Sequence, residues 1–307
     1  EYLRAHPDVS MSTTKEPDFF ALPEWDRVHP VGDLSGTTLR DDAARNQRLA
    51  EELVGYESLF SGAVDEARLG EASALYLGHP TAAWHLREYF PDAKFVVLLR
   101  DPVERAHSHL VHARRIYAEQ GVQSPEGAEG RSIDEEFRRA VRVAAIDGMP
   151  EDTVSEPEIW VRAGFYHAHL TRWFEVFDRD RFALFLFEDF REDARAVMEQ
   201  VYGHLGVDPS FSLPTTEAFN ASVVPKNQRL FTTFTTANPI MRRARDMAPP
   251  RARAFAVRTR NRLLGGSKPP ADDDLSSTLR TIYRSDTVEL QDLIGRDLGA
   301  WLEPGET

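Results

Sequence analysis

"KFVVLLRDPVERAHSHLVH", Lys94 to His112, is the stretch on which the fold turns. After its first residue, Lys94–Leu99 is wholly apolar, which predicts a strand buried on both faces. A helix follows from Pro102 to about Glu119. Pro102 suits the first helical position, where a missing N–H costs nothing. Arg100 stands at the carboxyl end of the strand, where the ligands of a parallel sheet collect. Ser108 lies two turns into the helix, ~9 Å of rise from its start. A guanidinium fork and a hydroxyl so arranged can converge on one phosphate. Taken alone, Arg100-Asp101-Pro102 has a plainer reading, with Arg100 paired to Asp101 or Glu104 and Ser108 facing solvent.

The same alternation runs outward from this stretch. Upstream, "EYLRAHPDV" reads as the last turns of a helix ended at Pro7, and residues 9–20 as a short strand and loop. Residues 21–45 are polar and Pro/Gly-bearing. Residues 46–60 have helical spacing, 67–77 read as a strand running into a turn, and 81–90 as a helix stopped by Pro91. Downstream, Gly121 to Gly130 is loop by composition. Ser132 and Glu135 form a capping box for an amphipathic helix to Ile146. Residues 164–177 give a helix whose Trp173, Phe174 and Phe177 face the core. Residues 181–190 form a second buried strand, followed by a helix over 193–205. The last helix covers 275–295. Apolar strands alternating with helices predict an α/β fold with a central parallel sheet between two helical layers.

Composition narrows the partners. The 307 residues carry 37 Lys+Arg against 50 Asp+Glu, a net charge of −13. So acidic a chain is a poor general binder of nucleic acid or anionic membrane. It has no cysteine, which excludes disulfides, thiolate metal sites and a cysteine nucleophile. No apolar run approaches the ~20 residues of a membrane span. With its Ala/Arg-rich composition, the sequence is read as a bacterial, cytoplasmic protein.

The segment "LLRDPVERAHSHL" resembles the 3′-phosphate-binding segment of sulfotransferases that use 3′-phosphoadenosine 5′-phosphosulfate (PAPS). Other segments are similar to that family in the same order. They are "LRAHPDVSMSTTKEPDFF", "GEASALYL", "GFYHAHLTRWFEVFDRDRFALFLFEDF" and "IYRSDTVELQDLIGRDLGAWL". The likeness is to the bacterial and heparan-sulfate-type branch. It implies a P-loop-NTPase-like fold, a single sulfotransferase domain over 1–307, and PAPS as co-substrate without a metal. It also implies a glycan or small-molecule acceptor, sulfated on a hydroxyl rather than an amine.

The resemblance assigns Arg100 and Ser108 to the nucleotide's 3′-phosphate, and Lys226 and Arg229 to a late loop that closes over its phosphates. Glu16, in "KEPDFF", matches the family's general base. The plainer reading of Glu16 is a surface carboxylate paired with Lys15. Lys15 and Asp18 fall on the acceptor side, Lys15 with a plainer reading as a solvated lysine; Glu71 and Ser73 face the cleft, where they touch acceptor or nucleotide, or else cap the next turn. Asp18 stands where the family commonly has His, and Ala72 where some members have Lys, so a differently charged acceptor pocket is expected. One family element is missing: the Gly-rich loop with Lys that binds the 5′-phosphosulfate. "GDLSGTTLR", residues 32–40, is no substitute, since it lacks the lysine and a preceding strand. The chain is therefore expected to be N-terminally incomplete. The alternative is a non-catalytic nucleotide-binding or scaffold relative that has lost the loop.

Remaining features read as structural. His79 packs in a turn, and His107, His109 and His112 share one helix without a third metal-ligand type nearby. Glu188 and Asp189 are expected to bond the backbone at the next helix start. Residues 241–262 hold eight arginines and one acid, usually a solvated face.

Overall fold

Runs of apolar and β-branched residues form the strands, and amphipathic stretches form the helices between them. The computed structural model describes residues 2–21, 51, 53–120, 130–147, 156–212, 224–225, 265–266 and 272–303. β1 (Val9–Met11) and β2 (Arg68–Gly70) pair in parallel, Val9 opposite Arg68. α1 (Leu75–Gly78) and α2 (Ala82–Tyr89) follow. β3 (Phe95–Leu99) leads into α3 (Pro102–Gln120). Then come α4 (Ile133–Asp147), α5 (Glu156–Arg162) and α6 (Tyr166–Val176). β4 (Phe182–Leu186) pairs in parallel with β3, Phe95 opposite Phe182 and Leu99 opposite Leu186. α7 (Phe187–Glu192) and α8 (Ala194–Leu205) complete this run. A short antiparallel pair, Val224–Pro225 with Gly265–Gly266, precedes α9 (Asp273–Ile294) and α10 (Gly299–Leu302).

The chain forms two compact units. The first comprises Glu1–Arg100, Phe165–Glu217 and Glu289–Arg296. The second comprises Asp101–Gly164, Ala218–Val288 and Asp297–Thr307.

In the first unit the strands lie between two helical layers. Phe95, Val97, Phe182 and Leu184 pack with Ala82, Ala83 and Leu86 of α2 and with Trp173 of α6 and Phe177 just after it. Ala183 and Phe185 point the other way, onto Val197, Met198, Val201 and Tyr202 of α8, where Val9 and Met11 of β1 join them. This is the three-layer α/β arrangement that the alternation predicts. α8 is closed at both ends. Asp193 accepts the Ala196 N–H at 3.0 Å as its N-cap. At its carboxyl end Gly206 takes φ 73, and Arg68 Nε and Lys94 Nζ donate to the carbonyls of Leu205 and His204 at 2.6 and 2.5 Å. The starts of β2 and β3 are thereby tied to one helix end.

β3 departs from the expectation of burial on both faces. Val96 and Leu98 are 39% and 47% exposed. They share the side of Ala183 and Phe185, but the described part of α8 covers β4 rather than β3. β2 stops at Gly70, and the turn expected after it is helical over Leu75–Gly78. One strand boundary differs: β4 stops at Leu186, and Phe187–Glu192 is helical. Acidic Glu188 and Asp189 occupy the first turn of α7, where they suit the helix dipole. The expected backbone cap at the next helix is supplied by Asp193, while Asp189 pairs with Arg296 at 2.8 Å.

The second unit is helical around α3, α4 and α5. The capping box forms: Ser132 N–H donates to Glu135 Oε2 at 2.7 Å, and Glu135 N–H donates to Ser132 Oγ at 3.3 Å. His109 stacks on Trp160 at 4.7 Å. Burial, with the charges of Arg105 and His112 adding, pushes its pKa down to about 4. Tyr283 Oη donates to the Val161 carbonyl at 2.7 Å, and its ring fills the space over Gly164, where a Cβ would meet Cζ at 2.6 Å. Among the described residues, no helix is long and apolar enough to cross a membrane, and no three His, Cys, Asp or Glu side chains converge as a metal site.

Candidate active site

Residues 12–21 leave β1 beside the end of β2. Their ends are fixed by backbone bonds: Ser12 N–H to Gly70 O at 2.8 Å, Thr13 N–H to Leu59 O at 2.9 Å, and Ala21 N–H to Asp18 O at 2.9 Å. Phe20 is fully buried among Tyr56, Tyr76 and Phe19. Its N–H donates to Tyr76 Oη at 3.3 Å, and its carbonyl meets His85 Nδ1 at 3.1 Å.

Between these anchors stands the turn with the candidate general base. Glu16 and Asp18 both adopt φ 50, on either side of Pro17. A side chain with Cβ in a sparsely populated region of this kind costs on the order of 1–3 kcal/mol, and such residues gather at functional sites. Lys15 Nζ lies 3.5 Å from Glu16 Oε1, so the surface ion pair that the sequence offered as the plainer reading does form. Both side chains are largely exposed, and exposed pairs contribute only about 0–1 kcal/mol. The backbone, more than Lys15, therefore decides where Glu16 stands.

Asp18, Glu71 and Ser73 come together although more than fifty residues separate them in sequence. Asp18 N–H donates to Ser73 Oγ at 3.0 Å, and Ser73 Oγ donates to Glu71 Oε2 at 2.6 Å. Tyr56 Oη donates to Glu71 Oε1 at 3.3 Å. Burial, together with the charges of Glu16 and Glu71, raises the Asp18 carboxyl above its usual range, while Ser73 pulls the other way. Asp18 Oδ1 is buried with no hydrogen-bond partner among the described residues. Burial followed by Glu71 likewise raises the Tyr56 phenol.

One stability consequence follows. An aspartate with a raised folded-state pKa binds more protons folded than unfolded, so its contribution is fully present below the unfolded pKa and is lost as pH rises through the folded pKa. Asp18→Asn removes that loss. The variant is expected to melt above wild type at pH 7, with the gap closing as pH falls toward 3.8. Calorimetric scans across that range check it, and a variant that melts lower at pH 7 refutes it.

Arg100 ends β3 in the first unit, half-buried, with its guanidinium carbon 4.9 Å from the centroid of the Phe187 ring. At that distance the contact is a cation–π interaction. Ser108 lies half-buried on α3 in the second unit. Asp101 caps α3, its Oδ1 accepting the N–H groups of Val103 and Glu104 at 2.7 and 3.0 Å. Burial raises its carboxyl, and these two bonds oppose the rise. Lys226 and Arg229 lie outside the described residues, as do residues 32–40 and the arginine-rich stretch 241–262.

The family model for the sulfotransferase domain matches residues 46–228, more than half of the chain. The chain belongs to the sulfotransferase domain family. Glu71, Ser73, Arg100, Ser108 and Lys226 fall inside the matched region; Lys15, Glu16, Asp18 and Arg229 fall outside it. Human carbohydrate sulfotransferase 15 is 23% identical over 236 residues, covering 67% of this chain and 41% of that protein. Human bifunctional heparan sulfate N-deacetylase/N-sulfotransferase 3 is 24% identical over 241 residues, covering 76% and 23%. The chain thus spans less than half the length of these curated relatives. A sulfotransferase from Alicyclobacillus acidocaldarius shares the fold, with a TM-score of 0.59 at 24% identity over 98% of this chain and 92% of that one.

Sequence reading did not find the link from Tyr56 through Glu71 and Ser73 to Asp18. Its only signal was that both segments resembled parts of one family.

Proposed function

We propose that this sulfotransferase-family chain transfers a sulfuryl group from PAPS to a hydroxyl of a carbohydrate or small metabolite. The observation that carries the reading is the family match over residues 46–228, with Arg100 and Ser108 inside it. The residues present suit the nucleotide. Arg100 carries its guanidinium over the Phe187 ring, and Arg is the side chain best shaped for bidentate contact with phosphate. The family resemblance assigns Arg100 and Ser108 to the 3′-phosphate. Once bound, the donor supplies an activated sulfuryl group and departs as adenosine 3′,5′-bisphosphate. The chain's own part is positioning and proton transfer, as in other group transfers of this kind. Glu16 takes the proton that the acceptor hydroxyl gives up as its oxygen bonds to sulfur. A carbohydrate acceptor is favoured by the relatives, whose names carry carbohydrate and heparan sulfate.

Titration calorimetry with adenosine 3′,5′-bisphosphate tests the nucleotide half. Arg100→Ala is expected to cost about 1.5–3 kcal/mol of binding through loss of a charge-assisted contact. Adenosine 5′-phosphate, lacking the 3′ group, is expected to bind wild type at least about tenfold more weakly, ~1.4 kcal/mol. Equal affinities in both comparisons remove the assignment. Transfer itself is read with ³⁵S-labelled donor and a panel of glycans and phenols, using the natural full-length chain.

A further inference from the structure

We infer that Ser73, oriented by Glu71, is a positioning residue of the transfer reaction, holding in place the turn that presents Glu16. The inference rests on the functional reading above and adds to it how the proposed base is aimed.

The hydrogen-bond directions are fixed by chemistry. Asp18 N–H can only donate, so Ser73 Oγ accepts it at 3.0 Å. The single Ser73 hydroxyl proton then goes to Glu71 Oε2 at 2.6 Å, within the short range of O–H to carboxylate bonds. Glu71 is held in turn by Tyr56 Oη on its other oxygen, and Tyr56 is buried beneath Phe19 and Phe20. The tie therefore ends in the aromatic core and not at a mobile surface group.

This tie has little to share its work with. Residues 12–13 are anchored to Gly70 and Leu59, and Phe20 to Tyr76. Among the described residues, only Ser73 hydrogen-bonds residues 14–18 from outside the 12–21 segment. Those residues include both positive-φ positions, Glu16 and Asp18. A strained turn persists only when its surroundings over-determine it. Removing the Ser73 hydroxyl leaves the ends anchored and frees the middle, so Glu16 loses its direction while the fold stays.

The test compares Ser73→Ala and Ser73→Thr with wild type in the natural full-length chain, assaying transfer from labelled donor to an oligosaccharide that wild type sulfates. Ser73→Ala is expected to lower kcat by about 10–100-fold, since a misplacement of roughly 1 Å costs on that order. Its acceptor KM and its affinity for adenosine 3′,5′-bisphosphate should stay within about twofold, because the site itself is not rebuilt. Ser73→Thr, which keeps the hydroxyl, restores the rate. Amide hydrogen exchange supplies a readout independent of activity: the Asp18 N–H loses protection in Ser73→Ala and regains it in Ser73→Thr. If Ser73→Ala does not melt cooperatively, Glu71→Gln replaces it and is expected to show the same fall in kcat at unchanged KM. An active wild type whose Ser73→Ala variant keeps its kcat overturns this inference alone. So does a fall in kcat with Asp18 N–H still protected, which would mean that Ser73 acts directly on a ligand. A wild type that transfers no sulfuryl group overturns the functional reading as well.

Discussion

Glu16→Gln is expected to slow sulfuryl transfer by the natural full-length chain about 10²–10⁴-fold, the usual loss when a general base is removed. Glutamine keeps the size of the side chain and part of its hydrogen bonding but cannot accept a proton. Affinity for adenosine 3′,5′-bisphosphate should barely change, because the proposed nucleotide contacts are Arg100 and Ser108. The acidic limb of the kcat/KM profile should vanish with the rate. The rival is Asp18, two residues away, on the same positive-φ turn and with its Oδ1 buried. Its raised carboxyl pKa brings it nearer to the working range of a general base than an ordinary aspartate. The two variants, Glu16→Gln and Asp18→Asn, are therefore assayed side by side on one acceptor. If Asp18→Asn abolishes turnover and Glu16→Gln stays within about threefold of wild type, the base is Asp18 and the resemblance fails at that residue.

What the sequence could show about this site follows from how local each signal is. β3, α3 and the Arg100-to-Ser108 spacing were legible because strand, helix start and helix rise all lie within nineteen consecutive residues. The capping box at Ser132 and Glu135 was legible for the same reason. One boundary was missed. Phe187 extends the apolar run of β4, and only the acidic pair after it marks the first turn of α7. The Glu71–Ser73–Asp18 tie could not be read at all. It joins residues 55 apart, and no period or spacing encodes which backbone N–H a serine will meet. The exposure of Val96 and Leu98 was hidden too, since an apolar strand reads as covered whether or not a neighbour lies on it.

The largest expected loss of stability is at Trp173. It is nearly fully buried on α6, its edge against Phe95 at 5.1 Å and its face parallel to Phe177 at 6.2 Å. Its Nε1 donates to the Leu77 carbonyl at 3.1 Å, joining α6 to α1. Trp173→Ala empties the space between α6 and the β3–β4 pair, which costs about 3–5 kcal/mol. It also strips the partly buried Leu77 carbonyl of a donor, which adds about 1–3 kcal/mol at most. Trp173→Phe keeps most of the ring contacts and loses the hydrogen bond, so its expected cost is near the second figure alone, about 1–3 kcal/mol. Denaturant titration followed by fluorescence or circular dichroism measures both, and a Trp173→Ala variant within about 1 kcal/mol of wild type refutes the account. The pair also separates scaffold from site. Trp173 packs on Phe95 at the start of β3, away from the end that carries Arg100, so its loss acts through the fold. Nucleotide affinity in Trp173→Ala should then fall only as the folded fraction falls and recover on cooling toward maximum stability. Arg100→Ala should lose affinity at every temperature while melting far closer to wild type than Trp173→Ala does. If Arg100→Ala melted as early as Trp173→Ala, its guanidinium over Phe187 would be holding the fold rather than waiting for a phosphate.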